Sequence, residues 1–127
     1  MATVSGNVVT IVGAGTAKIT ASQAGNALYT GATPTTQTLN VAKANQSVSF
    51  APITPLTYTN GGIITFTGTA SSGLPLTYTS SKSMVISISK GASQGLMKGR
   101  GTTTITASQV GNANYNKASA TNSITLQ

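Results

Sequence analysis

The chain has 127 residues and a formal net charge of +7, and it contains no Asp, Glu, His, Cys or Trp. This composition excludes disulfides, removes the usual metal ligands, and leaves only Lys, Tyr and Ser for acid–base chemistry. We therefore expect neither enzyme activity nor a cofactor. No run of 18 apolar residues occurs, so no membrane-spanning helix is expected. Residues 1–7 lack the basic segment and apolar core of a secretory signal.

The N-terminal third of the chain predicts β-strands separated by glycine turns. A hairpin is expected over residues 4–12, with a Ser-Gly-Asn turn. Residues 16–23 alternate apolar and polar side chains, which predicts a strand with one apolar face. Gly25 marks the next turn, Tyr29 lies in the following loop, and another strand is expected over about residues 35–41.

After a junction at residues 42–46, turn signals recur at a spacing of roughly 8–12 residues, which is typical of an antiparallel sandwich or barrel. Strands are expected over residues 46–50, 63–70, 74–80, 84–89, 96–98, 102–109 and 120–126. No segment has a 3.6-residue period, so the predicted fold class is all-β. The side chains expected to face inward are Ile105, Ala107, Ile64, Phe66, Leu76, Tyr78, Ile86, Ile88 and Val48. Alternation also places Met84 on the face of Ile86 and Ile88, with Val85 on the opposite face.

One stretch occurs twice. Residues 15–29 are repeated at residues 101–115, with eleven of fifteen positions identical and an offset of 86 residues. Such a period suits a whole small domain. Each copy is predicted to be a structural motif of a glycine break, a strand with an inward isoleucine, and a glycine turn held by a tyrosine. The positions are Gly15, Ile19, Gly25 and Tyr29 in the first copy, and Gly101, Ile105, Gly111 and Tyr115 in the second.

The repeat predicts one complete domain at residues 43–127, preceded by a partial copy at residues 1–42. The partial copy carries the counterparts of only the last three or four strands. Half a sandwich leaves an apolar face and unpaired strand edges. Residues 1–42 could therefore belong to a longer array, pack on the complete domain, or join another copy by strand addition to build an oligomer or fibre.

The repeated residues also carry a family resemblance. Several stretches resemble bacterial immunoglobulin-like repeats of the Big/MBG type. They are residues 4–16, residues 19–26 with Tyr29, the junction at residues 43–46, and residues 71–81. The resemblance implies an immunoglobulin-like antiparallel β-sandwich that acts as a non-catalytic structural or adhesive module. It implies a cell-surface, secreted or virion setting and a protein or polysaccharide partner. It supplies no catalytic residues.

Two motifs that imitate enzyme sites have a plainer interpretation. Residues 9–16 resemble a strand entering a dinucleotide-binding glycine loop, but the third glycine would fall at Lys18 and a strand pattern follows in place of a helix. Ser81-Lys82 and Ser89-Lys90 could be proposed as Ser–Lys pairs. Adjacent strand residues point to opposite faces, which favours solvated surface over a catalytic dyad.

Four basic residues within nineteen positions form a candidate polyanion patch: Lys82, Lys90, Lys98 and Arg100. Their functional interpretation is binding to acidic polysaccharide, teichoic-type phosphate or, less expected, nucleic acid. The plainer interpretation is that these charges keep the protein soluble and protect its strand edges from pairing.

Overall fold

The computed structural model describes all 127 residues and contains strands but no helix. Every strand pair within its sheets is antiparallel. The all-β prediction is therefore confirmed, and the arrangement is consistent with a β-sandwich. The strands are β1 (Ala2–Ser5), β2 (Val8–Ile11), β3 (Gly15–Gly25), β4 (Thr30–Val41), β5 (Val48–Phe50), β6 (Ile63–Thr65), β7 (Gly68–Ala70), β8 (Thr77–Ser80), β9 (Ile86–Ile88), β10 (Gln94–Met97), β11 (Gly101–Gln109) and β12 (Ala118–Leu126).

The chain separates into two compact units. Met1–Ala44 forms the N-terminal unit, which contains β1 to β4, and Asn45–Gln127 forms the C-terminal unit, which contains β5 to β12. The boundary predicted between residues 42 and 43 lies two residues before this division.

The C-terminal unit has a continuous hydrophobic core. Its strands form sheets in the orders β6-β10-β9, β12-β11-β8 and β5-β7. The rings of Phe50, Phe66 and Tyr78 meet in the core, with centroids separated by 5.3 to 6.3 Å. Around them lie buried aliphatic side chains from β6, β9, β10, β11 and β12. This apolar burial is the main source of the unit's stability.

The last strand of the C-terminal unit also pairs in parallel with an irregular segment. Leu56 forms a parallel bridge with Leu126. The Leu56 N–H donates to the Thr125 carbonyl at 3.0 Å, and the Tyr58 N–H donates to the Gln127 carbonyl at 2.8 Å. The Gln127 N–H returns a bond to the Leu56 carbonyl at 3.0 Å. These three bonds tie the C-terminal end of β12 to the segment that follows β5.

The N-terminal unit consists of two hairpins, β1/β2 and β3/β4, and none of its side chains is fully buried. Ile19 and Leu39 are half-buried, whereas Val4 is 55% exposed and Ile11 is 61% exposed. Apolar burial provides most of the driving force for folding. The free energy of unfolding of these hairpins by themselves is therefore far smaller than that of the C-terminal unit.

Most of the predicted inward side chains lie in the core. Val48, Leu76 and Ile88 are partly buried against it, and the other six are buried. The prediction was wrong at Met84, which is 83% exposed, and at Val85, which is 8% exposed. The N–H groups of Val85 and Ile86 both donate to the Lys82 carbonyl. The chain is therefore turning before Ile86, and strand alternation does not apply there.

Several predicted strands have different bounds. Residues 63–70 form two strands in different sheets, because β6 pairs with β10 whereas β7 pairs with β5. Strand β4 begins at Thr30, five residues before the predicted start, since β3 continues past a register shift and pairs as far as Gly25. Strand β8 begins only at Thr77, after the segment containing Pro75.

Candidate functional site

The glycine that opens the repeated stretch adopts the same conformation in both copies. Gly15 has φ +129° and Gly101 has φ +133°. Residues with a Cβ rarely adopt these values. In each copy this glycine is also the first residue of the hairpin ladder, pairing with Val41 in one unit and Leu126 in the other. The predicted break is therefore the point at which the chain enters a long hairpin.

The turn that closes the repeated strand is also glycine-dependent. Gly25 has φ +80° and Gly111 has φ +81°. A Cβ on either glycine would lie closer than 3.0 Å to the backbone carbonyl oxygen of the tyrosine four positions later, Tyr29 or Tyr115. Both the conformation and the space require glycine here.

An asparagine that follows this glycine holds the turn. The Asn26 Oδ1 accepts from the N–H groups of Leu28 at 2.8 Å and Tyr29 at 2.9 Å. The Asn112 Oδ1 accepts from Asn114 at 2.8 Å and Tyr115 at 3.0 Å. The asparagine N–H donates to the tyrosine carbonyl, at 2.8 Å in the first copy and 3.1 Å in the second. This is an Asx-type turn, in which the side chain takes the place of backbone pairing.

The tyrosines take part through their backbone groups. The ring of Tyr29 is 72% exposed, and that of Tyr115 is half-buried. Tyr115, predicted to hold the turn after Gly111, contacts that turn through its N–H and carbonyl groups.

A glutamine two residues before the turn glycine completes the motif, and sequence reasoning missed it. The Gln23 Oε1 accepts from the Gly25 N–H at 2.8 Å, and the Gln109 Oε1 accepts from the Gly111 N–H in the same way. Gln109 is buried, and its Nε2 donates to the Pro75 carbonyl at 3.2 Å. Both glutamines and both asparagines are among the identical positions of the repeat, which was the available signal.

The equivalence of the two units extends to the preceding hairpin. In β1/β2, Ala2 pairs with Ile11, and in β9/β10, Ile86 pairs with Met97. The N–H groups that follow these strands bond back in the same pattern, from Val12 to the Met1 carbonyl at 2.9 Å and from Lys98 to the Val85 carbonyl at 2.9 Å. Strands β1 to β4 therefore repeat the backbone of β9 to β12, and the N-terminal unit has no counterparts of β5 to β8.

The four basic side chains are all exposed, and they lie at two different places. Lys82 and Lys98 are close together, because the Lys82 carbonyl accepts from Val85 and the Lys98 N–H donates to the Val85 carbonyl. Arg100 follows two residues later at the same end of the β9/β10 hairpin. Lys90 lies at the opposite end, in the β9–β10 turn. The structure therefore brings three of the four residues together.

In the candidate Ser81-Lys82 pair, the serine hydroxyl is held by hydrogen bonds to β11. The Ser81 hydroxyl accepts from the Thr104 N–H at 3.0 Å and shares a hydrogen bond with the hydroxyl of buried Thr103 at 3.2 Å. The Thr103 Oγ1 also accepts from the Lys82 N–H at 3.0 Å. These groups hold the β8–β9 connection against β11.

No family model matches the chain, and none of the curated proteins matches it either. The protein forms no helix that is long and apolar enough to cross a membrane.

Proposed function

We propose that the chain is a non-catalytic structural or adhesive module with an immunoglobulin-like β-sandwich, part of a cell-surface, secreted or virion protein. The resemblance of its repeated residues to bacterial immunoglobulin-like repeats supports this proposal. So do the repeated Gln and Asn side chains, because their oxygens accept hydrogen bonds from backbone N–H groups of the turns and therefore have a structural role.

The observation that carries the structural role is the parallel pairing at the end of β12. The segment at Leu56–Tyr58 follows the first strand of the C-terminal unit, and Gln127 is the last residue of that unit. Tension between the two ends pulls these parallel segments in opposite directions along their axes. Their three backbone hydrogen bonds are then loaded together, and rupture requires them to fail together.

A side chain reinforces this pairing closer to β5. The Asn122 Nδ2 donates to the carbonyl oxygens of Phe50 and Ala51, both at 2.7 Å. The segment leaving β5 is thus bonded to β12 before the parallel bridge begins. This arrangement suits a spacer that carries tension along its length.

Single-molecule force measurements test this role. The chain has no cysteine, so Ala44→Cys with Gln127→Cys gives two attachment points across the C-terminal unit. We expect a higher unfolding force in this geometry than with Arg100→Cys and Gln127→Cys, which pulls apart the neighbouring ends of the antiparallel β11/β12 hairpin one bond at a time. Equal forces in the two geometries would contradict the proposal.

A pair of substitutions at one position separates the hydrogen bond from side-chain packing. Leu56→Pro removes the N–H that donates to Thr125, whereas Leu56→Ala retains it and removes only side-chain contacts. The proline variant is expected to lose more unfolding force in the end-to-end geometry than the alanine variant. A larger loss in the alanine variant would assign the resistance to packing.

A second candidate function, joining to another polypeptide through residues 1–42, is favoured by the unpaired edges of the N-terminal unit. Light scattering over a range of concentrations separates its two forms. Mass that rises with concentration supports a homo-oligomer or fibre, and a constant monomer mass leaves the edges to a different partner.

A further inference from the structure

The five residues Ile-Thr-Ala-Ser-Gln occur identically at residues 19–23 of β3 and residues 105–109 of β11. In the C-terminal unit, β11 lies between two partners, with β12 on one edge and β8 on the other. In the N-terminal unit, β3 pairs only with β4. We call the other edge of β3 at residues 19–22 the acceptor edge.

The C-terminal unit shows how this sequence is covered. Strand β8 runs antiparallel to β11, with Ser80 opposite Ile105 and Tyr78 opposite Ala107. Tyr78 is only 6% exposed, and its ring stacks on Phe66 with centroids 5.3 Å apart. The Gln109 Nε2 donates to the carbonyl of Pro75, three residues before the tyrosine. Backbone pairing, one buried ring and one glutamine contact therefore fix the register.

The N-terminal unit has a counterpart of each feature: an unpaired strand edge, a cavity beside it, and the amide of Gln23. A cavity of about 440 Å³ lies beside the acceptor edge, lined by Val4 and Val9 from the first hairpin and by Ile19 and Ala21 from β3. Its volume is within the roughly 300–1,000 Å³ of ligand pockets. The Nε2 of Gln23 has no protein partner, although its Oε1 bonds the turn as in the other copy.

One difference between the units restricts what the cavity admits. Gly95 lies where a Cβ would meet the Ile86 Cγ2 at 2.6 Å and the Phe66 ring at 3.0 Å. Strand pairing places Val9 at the equivalent position and Ala2 at the position of Ile86. From this equivalence we expect Val9 to fit beside Ala2, which lacks the clashing methyl group of Ile86, and to fill part of the space that the Phe66 ring fills in the C-terminal unit. The cavity thus suits a single ring at the position of Tyr78.

We propose that the acceptor edge binds an extended segment of a partner polypeptide by strand addition. The segment runs antiparallel to β3 and places one aromatic side chain opposite Ala21, in the cavity. The carbonyl three residues before that aromatic accepts from the Gln23 Nε2. Main-chain pairing supplies affinity, and the ring supplies specificity. This role goes beyond a tension-bearing spacer and is independent of it.

The partner is a different polypeptide and not a second copy of this chain. The β8 strand of a second copy is already held in its own core, where Tyr78 is buried. Releasing it would expose one acceptor edge to cover another. Each chain also carries +7 with no carboxylate side chain, so contact between copies brings together like charges that no ion pair relieves. A segment without net positive charge fits the edge better.

The probe is a peptide with the sequence of residues 74–80, added to the full-length chain. Hydrogen exchange is read separately over residues 19–23 and 105–109. We expect saturable protection of residues 19–23 and no change at residues 105–109. A peptide carrying Tyr78→Ser should bind about 10- to 150-fold more weakly, because burying an aromatic side chain is worth roughly 1.5–3 kcal/mol.

Variants of the chain provide the matched controls. Ala21→Phe fills the cavity and should abolish peptide binding, whereas Ala27→Phe in the exposed turn should not. Four results would each overturn the proposal: no peptide-dependent protection, equal binding of the Tyr78→Ser peptide, protection gained at residues 105–109, or unchanged binding by the Ala21→Phe variant. Protection of residues 19–23 that rises with chain concentration alone would also overturn it, by assigning the edge to a second copy.

Discussion

Replacing Gly111 with alanine perturbs the repeated turn at its most constrained point. Gly111 has φ +81°, and an added Cβ would lie closer than 3.0 Å to the Tyr115 carbonyl oxygen. It would also lie 3.0 Å from the backbone C of Asn116 and the backbone N of Lys117. The left-handed conformation costs a non-glycine residue roughly 1–2 kcal/mol. Because the contacts are with backbone atoms that cannot rotate away, the combined cost should reach about 2–3 kcal/mol.

Thermal or urea denaturation followed by circular dichroism measures this cost. For a unit of this size, each kcal/mol lowers Tm by roughly 4–8 °C, so a cost of about 2–3 kcal/mol should lower the Tm of the C-terminal unit by about 8–24 °C. The restriction of the unfolded chain by alanine gives back roughly 0.4–1 kcal/mol. That gain is common to all glycine-to-alanine variants and cancels when they are compared.

Two control variants separate the causes. Gly73 has φ +75° with no atom within 4 Å of an added Cβ, so Gly73→Ala reports the conformational cost of roughly 1–2 kcal/mol alone. Gly25→Ala makes the same change in the N-terminal unit and should leave the unfolding of the C-terminal unit unaltered. If Gly111→Ala is no more destabilising than Gly73→Ala, the close approach to Tyr115 has no energetic role and the reasoning fails.

Three further predictions concern buried polar groups and charge. Thr103→Val removes the acceptor of the Lys82 N–H and should lower the free energy of unfolding, measured in urea, by about 1–3 kcal/mol. Thr102→Val breaks an exposed hydroxyl pair at 2.8 Å and should lower it by less than about 0.5 kcal/mol. Equal losses would refute the role of Thr103. Since the chain has no Asp, Glu or His, its Tm at fixed ionic strength should stay nearly constant between about pH 3 and pH 8, and a steep fall below pH 5 would contradict this. If the basic residues bind polyanions, replacing Lys82 and Lys98 together with glutamine should lower heparin retention more, per charge removed, than replacing Lys90 does. Strong retention that salt does not weaken would argue against charge-based binding.

Sequence periodicity predicted the core wherever a strand is regular. Ile105 and Ala107 in β11, and Ile64 in β6, alternate with polar neighbours and lie inward as expected. The pattern failed at Val85, because a turn brings that side chain into the core out of phase. It also failed to divide residues 63–70, where the chain changes sheets between Thr65 and Gly68. Gly68 is the one turn-type residue there, and a single glycine inside a strand pattern does not by itself predict a break.

The polar contacts of the turn motif were less accessible to sequence reasoning. Gln109 and Thr103 are buried polar residues whose partners lie far away in the chain, at Pro75 and at Ser80–Lys82. Nothing in local sequence identifies such long-range partners. The exact repetition of Gln and Asn at the same offset indicates a shared function for these positions, and the structure adds that the function is to satisfy backbone N–H groups.

The same strand sequence is paired on both edges in the C-terminal unit and on one edge in the N-terminal unit. Hydrogen exchange on the unmodified chain tests it directly, because residues 19–23 and 105–109 have the same sequence and therefore nearly the same intrinsic exchange rates. We expect the amides of residues 105–109, which lie between two strands in a buried core, to exchange orders of magnitude more slowly than those of residues 19–23. Equal protection of the two segments in the isolated monomer would contradict this difference between the units.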